Sequence, residues 1–161
     1  MEANEKDLAM AAKIMDTICA MIEDEELHYD RDDEKFMVRL EFSSDDFPLK
    51  IVFKVFPERQ LVIVYSPLTF NIPESGRTDV ALAMTILNCC LYDGVWTLDL
   101  SNGEADFRIT NSYYDSILGK ACFKDLMSTA LRVNSTTADK LFMLGKGNMT
   151  LQQFTETVLG K

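Results

Sequence analysis

An α+β fold is predicted: a five-stranded antiparallel sheet, made of a three-strand meander plus a hairpin, with helices packed on it in the order α-βββ-α-ββ-α-α. Three observations lead there. Three neighbouring segments between Phe36 and Tyr65 read as strands, two of them by period-two alternation, separated by short turns. Asn102-Gly103 sits between two further alternating runs, where it suits a tight hairpin turn. Between these groups Val80 to Tyr92 runs without charge, proline or glycine. Apolar almost all round, it reads as a helix buried on more than one side. At about 1.5 Å per residue it is roughly 20 Å long, too short for a bilayer core of ~30 Å.

The elements follow in order. Leu8, Ala11, Met15, Ile18 and Ile22 recur at spacings of three and four, the stripe of an N-terminal helix that ends in Glu23 to Glu26. Phe36, Val38, Leu40 and Phe42 alternate with Met37, Arg39 and Glu41; Leu49, Ile51, Phe53 and Val55 alternate with Lys50, Val52 and Lys54; Leu61 to Tyr65 makes the third strand. Pro73-Glu74 suits the first turn of the buried helix, since proline lacks an N–H that would be unpaired there.

A two-residue Asn102-Gly103 loop sets the hairpin register. Leu100 then faces Ala105, Leu98 faces Phe107 and Trp96 faces Ile109 on the core side. Asp99 faces Asp106 and Thr97 faces Arg108 on the wet side. Phe123 to Leu144 keeps helical spacing through a centre of low helix propensity, Asn134 to Thr137, and is read as one long helix. Thr150 and Gln153 form a capping box that opens a short last helix with Leu151, Phe154 and Val158 inward.

At 161 residues a single domain is expected, 1–161. Net charge of −10 opposes nucleic acid and anionic lipid, so neither is an expected partner. No apolar leader or spanning run is present, and a cytoplasmic location with reduced thiols is expected. The four cysteines, Cys19, Cys89, Cys90 and Cys122, lack C-x-x-C spacing, and His28 is the one histidine. Asp30, Asp32, Glu34 and Glu41 fall at calcium-loop positions, but Lys35 stands where the loop needs glycine. No metal, no cofactor and no catalytic set is expected: there is no nucleophile elbow and no phosphate loop, and the facing carboxylates Asp99 and Asp106 read as a charged network or partner contact.

Certain stretches resemble the YbjN family of bacterial proteins, proposed sensory transduction regulators. They are Pro57-Glu58-Arg59-Gln60, Tyr65-Ser66-Pro67, Pro73-Glu74, Asp93-Gly94, Leu98-Asp99-Leu100-Ser101 with Gly103, Phe107-Arg108-Ile109-Thr110, Asp115-Ser116, and Leu141-Phe142-Met143-Leu144 with Lys146-Gly147. The likeness runs from about Phe36 to Phe154. That family is similar in fold to class I type III secretion chaperones, small acidic homodimers, which implies a binding protein that holds a partner segment and transfers no catalytic residue. The helix from Thr150 to Leu159 departs from that pattern.

The expected function is therefore a non-enzymatic protein-binding module, chaperone-like or regulatory, acting as a homodimer on a protein or peptide partner. Lys50, Val52, Lys54, Val62, Asp99, Asp106 and Arg108 are the expected contacts. The alternative is a small-molecule sensor domain with a pocket lined by Trp96, Tyr113 and Tyr114.

Overall fold

The computed structural model describes residues 3–160. The elements are α1 (Glu5–Asp24), β1 (Asp30–Asp32), β2 (Met37–Phe42), β3 (Leu49–Phe56), β4 (Leu61–Pro67), α2 (Arg77–Cys90), β5 (Val95–Leu98), β6 (Ala105–Ser112), α3 (Lys120–Gly145) and α4 (Leu151–Leu159). All strands join one antiparallel sheet in the order β1-β2-β3-β4-β6-β5.

The sheet has six strands where five were expected. The addition, β1, is Asp-Arg-Asp, and no side-chain alternation could reveal it. Main-chain pairing to β2 makes it, and charge holds it: Arg39 reaches Asp30 at 2.6 Å, and Arg31 reaches Asp16 at 2.9 Å. A short, charged edge strand resists pairing with other chains.

One face of the sheet is core. Val38, Phe53, Val64 and Ile109 lie in register across four strands and are 0–5% exposed. α1 and α3 cover that face, through Ala11, Met15, Ile18 and Ile22 from one and Phe123, Ala130, Val133 and Leu141 from the other. Phe123 meets Phe53 edge-on at 6.3 Å. Phe47, Phe70 and Phe142 stack within 4.7–5.2 Å and tie the β2–β3 turn to the C-terminal part of α3. Among the described residues no helix lies on the opposite face, where Arg39, Val52, Lys54, Ile63 and Tyr65 are half-buried.

α3 is one helix of 26 residues. Its polar centre has a structural use. Asn134, 2% exposed, donates from Nδ2 to Ser66 Oγ at 2.8 Å and to the Ser66 carbonyl at 3.1 Å. Both capping boxes are formed, Asn4 with Asp7 on α1 and Thr150 with Gln153 on α4.

α2 differs from its expectation. Only Val80, Ala83, Met84 and Leu87 are buried, against α3, α4 and β5. Leu82, Thr85, Cys89 and Cys90 are exposed on the other side. The helix starts three residues before Val80, and Glu74–Gly76 forms a separate 3₁₀ turn. The added helix α4 covers one flank of α2 and seats Phe154 in the core.

The hairpin register is also revised. Trp96 faces Phe107 and Leu98 faces Ala105, so the connection spans 99–104 and Asp99 no longer faces Asp106. Trp96 and Phe107 keep the core side, because the shift is by two residues, but Leu100, expected there opposite Ala105, lies in the turn and is 60% exposed. Gly103 explains the longer loop. Its φ is +82°, and a Cβ there would sit 2.1 Å from the Ile72 carbonyl. The turn is thus packed on the β4–α2 connection, whose Ile72 N–H donates to the Gly103 carbonyl at 2.8 Å.

Candidate functional site

The uncovered sheet face is assembled from strand register. One row reads Asp30, Arg39, Val52, Tyr65, Arg108 and Val95, with one residue from each strand in sheet order. The next reads Met37, Lys54, Ile63 and Thr110. Apolar side chains therefore alternate with cations across the middle of the sheet, on a chain whose net charge is −10. The Lys54 ammonium donates to the Lys35 carbonyl and lies 5.6 Å from the centre of the Phe56 ring. Lys50 sits toward one end, paired with Glu41 at 3.0 Å.

Of the expected contacts, Lys50, Val52, Lys54, Asp106 and Arg108 share this face. Val62 does not: it is 0% exposed and belongs to the core row beside Val55. The run Leu61 to Tyr65 is apolar throughout and gives no alternation to choose a face by; register places Leu61, Ile63 and Tyr65 outward instead. Asp99 leaves the face for the hairpin turn. There its Oδ1 accepts from the Ser101 hydroxyl at 2.6 Å and from the Ser101 N–H at 2.8 Å. Those bonds hold its carboxyl below the usual range.

Asp106 is a half-buried charge of the face. It lies between Pro67 and Thr97, and one carboxylate oxygen is enclosed without a partner among the described residues. Burial raises its carboxyl above the ordinary value, while Thr97 and Arg108 beside it pull the other way. Burial likewise raises the Tyr65 phenol.

The three expected pocket aromatics are not brought together. Trp96 is 3% exposed, 5.6 Å from the Phe107 ring. Asn88 of α2 clamps its main chain, accepting from the Trp96 N–H at 2.7 Å and donating to its carbonyl at 3.1 Å. Tyr113 and Tyr114 do share a crevice of about 580 Å³ with Lys6, Asp7, Met10 and Gln60. Tyr113 is 1% exposed, and its hydroxyl has no hydrogen-bond partner among the described residues. Burial, with Asp7 and Glu58 nearby, pushes that phenol up to about 12.

A second crevice, of about 480 Å³, lies between the end of β6 and the start of α3. Nothing in the sequence singled it out, because it exists only where β5 stops short of β6. Among the described residues there is no cluster of three or more His, Cys, Asp or Glu able to hold a metal ion, and no helix is long and apolar enough to cross a membrane.

No family model and no curated protein matches the sequence. Solved structures do match in fold. The ExsC–ExsE complex superposes with a TM-score of 0.63 at 14% identity, covering 81% of this chain and 95% of the other. YbjN from E. coli, a proposed transcription regulator, gives 0.56 at 8% identity over 83% of this chain and 93% of its own. The HopA1–SchA chaperone–effector complex gives 0.54 at 14% identity over 86% of this chain and 99% of the other. At such identities the likeness is one of fold, and the YbjN-like, chaperone-like fold implied by the sequence resemblance is the fold observed.

Proposed function

We propose that this chain is a single non-enzymatic domain that binds a protein partner, in a chaperone-like or regulatory role, through the uncovered face of its sheet. The observation that carries this reading is the pairing of apolar Val52, Ile63 and Tyr65 with Arg39, Lys54 and Arg108 on a face with no helix over it. Apolar anchors supply contact area, and interleaved cations select an acidic or amphipathic segment. Solved chaperone–effector complexes of the same fold add support. Extended segments fit such a surface by pairing with strand edges, helical ones by filling apolar depressions. Affinity capture from the protein's own cytosol tests it: wild type recovers a defined partner, and Val52→Asp with Tyr65→Asp loses it. Recovery of no partner, or equal recovery by the variant, contradicts the reading.

The protein acts as a homodimer in this account. α2 leaves Leu82 49% exposed beside Ile86 and Cys89, and α4 already covers its other flank. A second copy of the same helix face completes the cover.

A sensor domain is the second reading, and one observation favours it. The crevice of about 580 Å³ beside Tyr113 and the exposed Tyr114 is large enough for a small metabolite. A thermal-shift screen separates the two: strong stabilisation by one compound, abolished by Tyr114→Ala, supports the sensor, and a flat screen supports protein binding.

A further inference from the structure

β5 is half as long as the strand it pairs with. It meets β6 at Ala105 to Arg108, and residues 109–112 of β6 have no strand on that side. Alternation identifies the backbone groups left over. The Ala105 carbonyl accepts from Leu68 N–H at 2.8 Å and Tyr113 N–H donates to the Gln60 carbonyl at 2.9 Å, both toward β4. The Glu104 carbonyl accepts from Asp99 N–H at 2.8 Å on the β5 side. In an antiparallel strand the N–H and C=O of one residue point the same way, and the direction alternates residue by residue. Thr110 and Ser112 thus turn both main-chain groups to the free edge, and neither has a main-chain partner there among the described residues.

The segment that would continue β5 is diverted at Gly94. Its φ is +157°, and a Cβ there would lie 2.5 Å from the Phe107 ring and 2.8 Å from the Arg108 carbonyl. Along the vacated edge runs the crevice of about 480 Å³, with the first turns of α3 as its far wall. Ile109 and Leu126 give it an apolar floor, 5% and 8% exposed. Asp93 and Asp125 are exposed carboxylates on its lining, and Arg108 is the one cation there.

We infer that the free half of β6 takes an extended, basic segment of a partner protein as an added strand, seated in the crevice against α3. This rests on the protein-binding reading and gives it a second contact, distinct from the open face. Two unpaired donor–acceptor sets two residues apart, about 7 Å, match the repeat of a strand and not of a helix. The two carboxylates choose a basic occupant. They also disfavour a second copy of this chain, since joining like edges would bring four carboxylates together.

A fluorescein-labelled hexapeptide alternating valine and lysine is the probe. Wild type binds it with a saturable anisotropy change, and a valine–glutamate counterpart binds at least tenfold more weakly. Thr110→Pro removes only the edge-facing donor, because Thr110 does not bond to β4, and it weakens binding at least tenfold. Asp125→Lys, at an exposed position, does the same and keeps the test decisive if the proline variant fails to fold. Amide exchange with the peptide bound shows new protection at Thr110 and Ser112. No binding by wild type, or equal binding by both variants, overturns the inference. Protection confined to Val52 and Tyr65 overturns the edge alone and leaves protein binding on the open face standing. A wild-type dimer that Thr110→Pro converts to monomer overturns the inference in favour of a second copy at this edge.

Discussion

Asn134 joins the longest helix to the middle of the sheet through one side-chain amide. Its Nδ2 serves Ser66 Oγ, the Ser66 carbonyl and, at 3.3 Å, the Pro67 carbonyl, all away from solvent. Asn134→Ala removes these bonds and leaves the Ser66 hydroxyl oxygen, buried beneath α3, without its amide donor, which costs about 1–3 kcal/mol, measured as a lower urea midpoint at unchanged slope. Asp106 acts in the opposite sense. Burial raises its carboxyl above the ordinary 3.8, so its ionised form opposes folding. That cost is present above the raised folded-state value and vanishes below 3.8, where folded and unfolded states are both protonated. Asp106→Asn therefore raises Tm at neutral pH, and the gain disappears as the pH is lowered past 3.8; an unchanged Tm at neutral pH contradicts the assignment. Residues whose role is local were legible in the sequence, as at the Thr150–Gln153 capping box. Asn134 was read only as a poor helix former, because its partners lie 68 and 67 positions away.

The elements divide in the same way. β2 and β3 were legible because each carries one wet and one dry face, and alternation reports that directly. β1 was not, since its three residues owe their place to main-chain pairing and to Arg39. The hairpin was found and its register missed: Asn-Gly suggests a two-residue loop, whereas Asp99 and Ser101 build a longer turn that docks on Ile72. Gly103→Ala must move that contact and adopt a positive φ, and it lowers stability more than Gly119→Ala, whose added Cβ meets nothing within 4 Å. Thermal melts of the two variants compare them. α4 is an integral part of the helical layer. Phe154 is fully buried, and Phe154→Ala costs about 3–5 kcal/mol in chemical denaturation. A loss below 1 kcal/mol would mean that α4 docks only loosely on α2.

At the scale of the molecule, helices fill one side of the sheet, and among the described residues none lies over the other. Fold class and element order were legible because both follow from hydrophobic period and turn chemistry. The open face was only partly so. An all-apolar strand such as Leu61 to Tyr65 does not say which of its sides is outermost, and Val62 was assigned outward for that reason. The apolar run of α2 implies burial on more than one side, and one chain buries only Val80, Ala83, Met84 and Leu87; apolar composition does not distinguish burial within one chain from burial between two copies. Leu82→Glu separates these cases: it halves the solution mass of a dimer with α2 at its seam, and it leaves a monomer's mass and fold unchanged. Partner binding on the uncovered sheet face is tested by placing a photocrosslinking amino acid at position 52, with exposed Ser128 on α3 as the comparison. A discrete protein adduct is expected in cells from position 52 and none from position 128. Absence of an adduct at 52, or the same adduct from both positions, would contradict it.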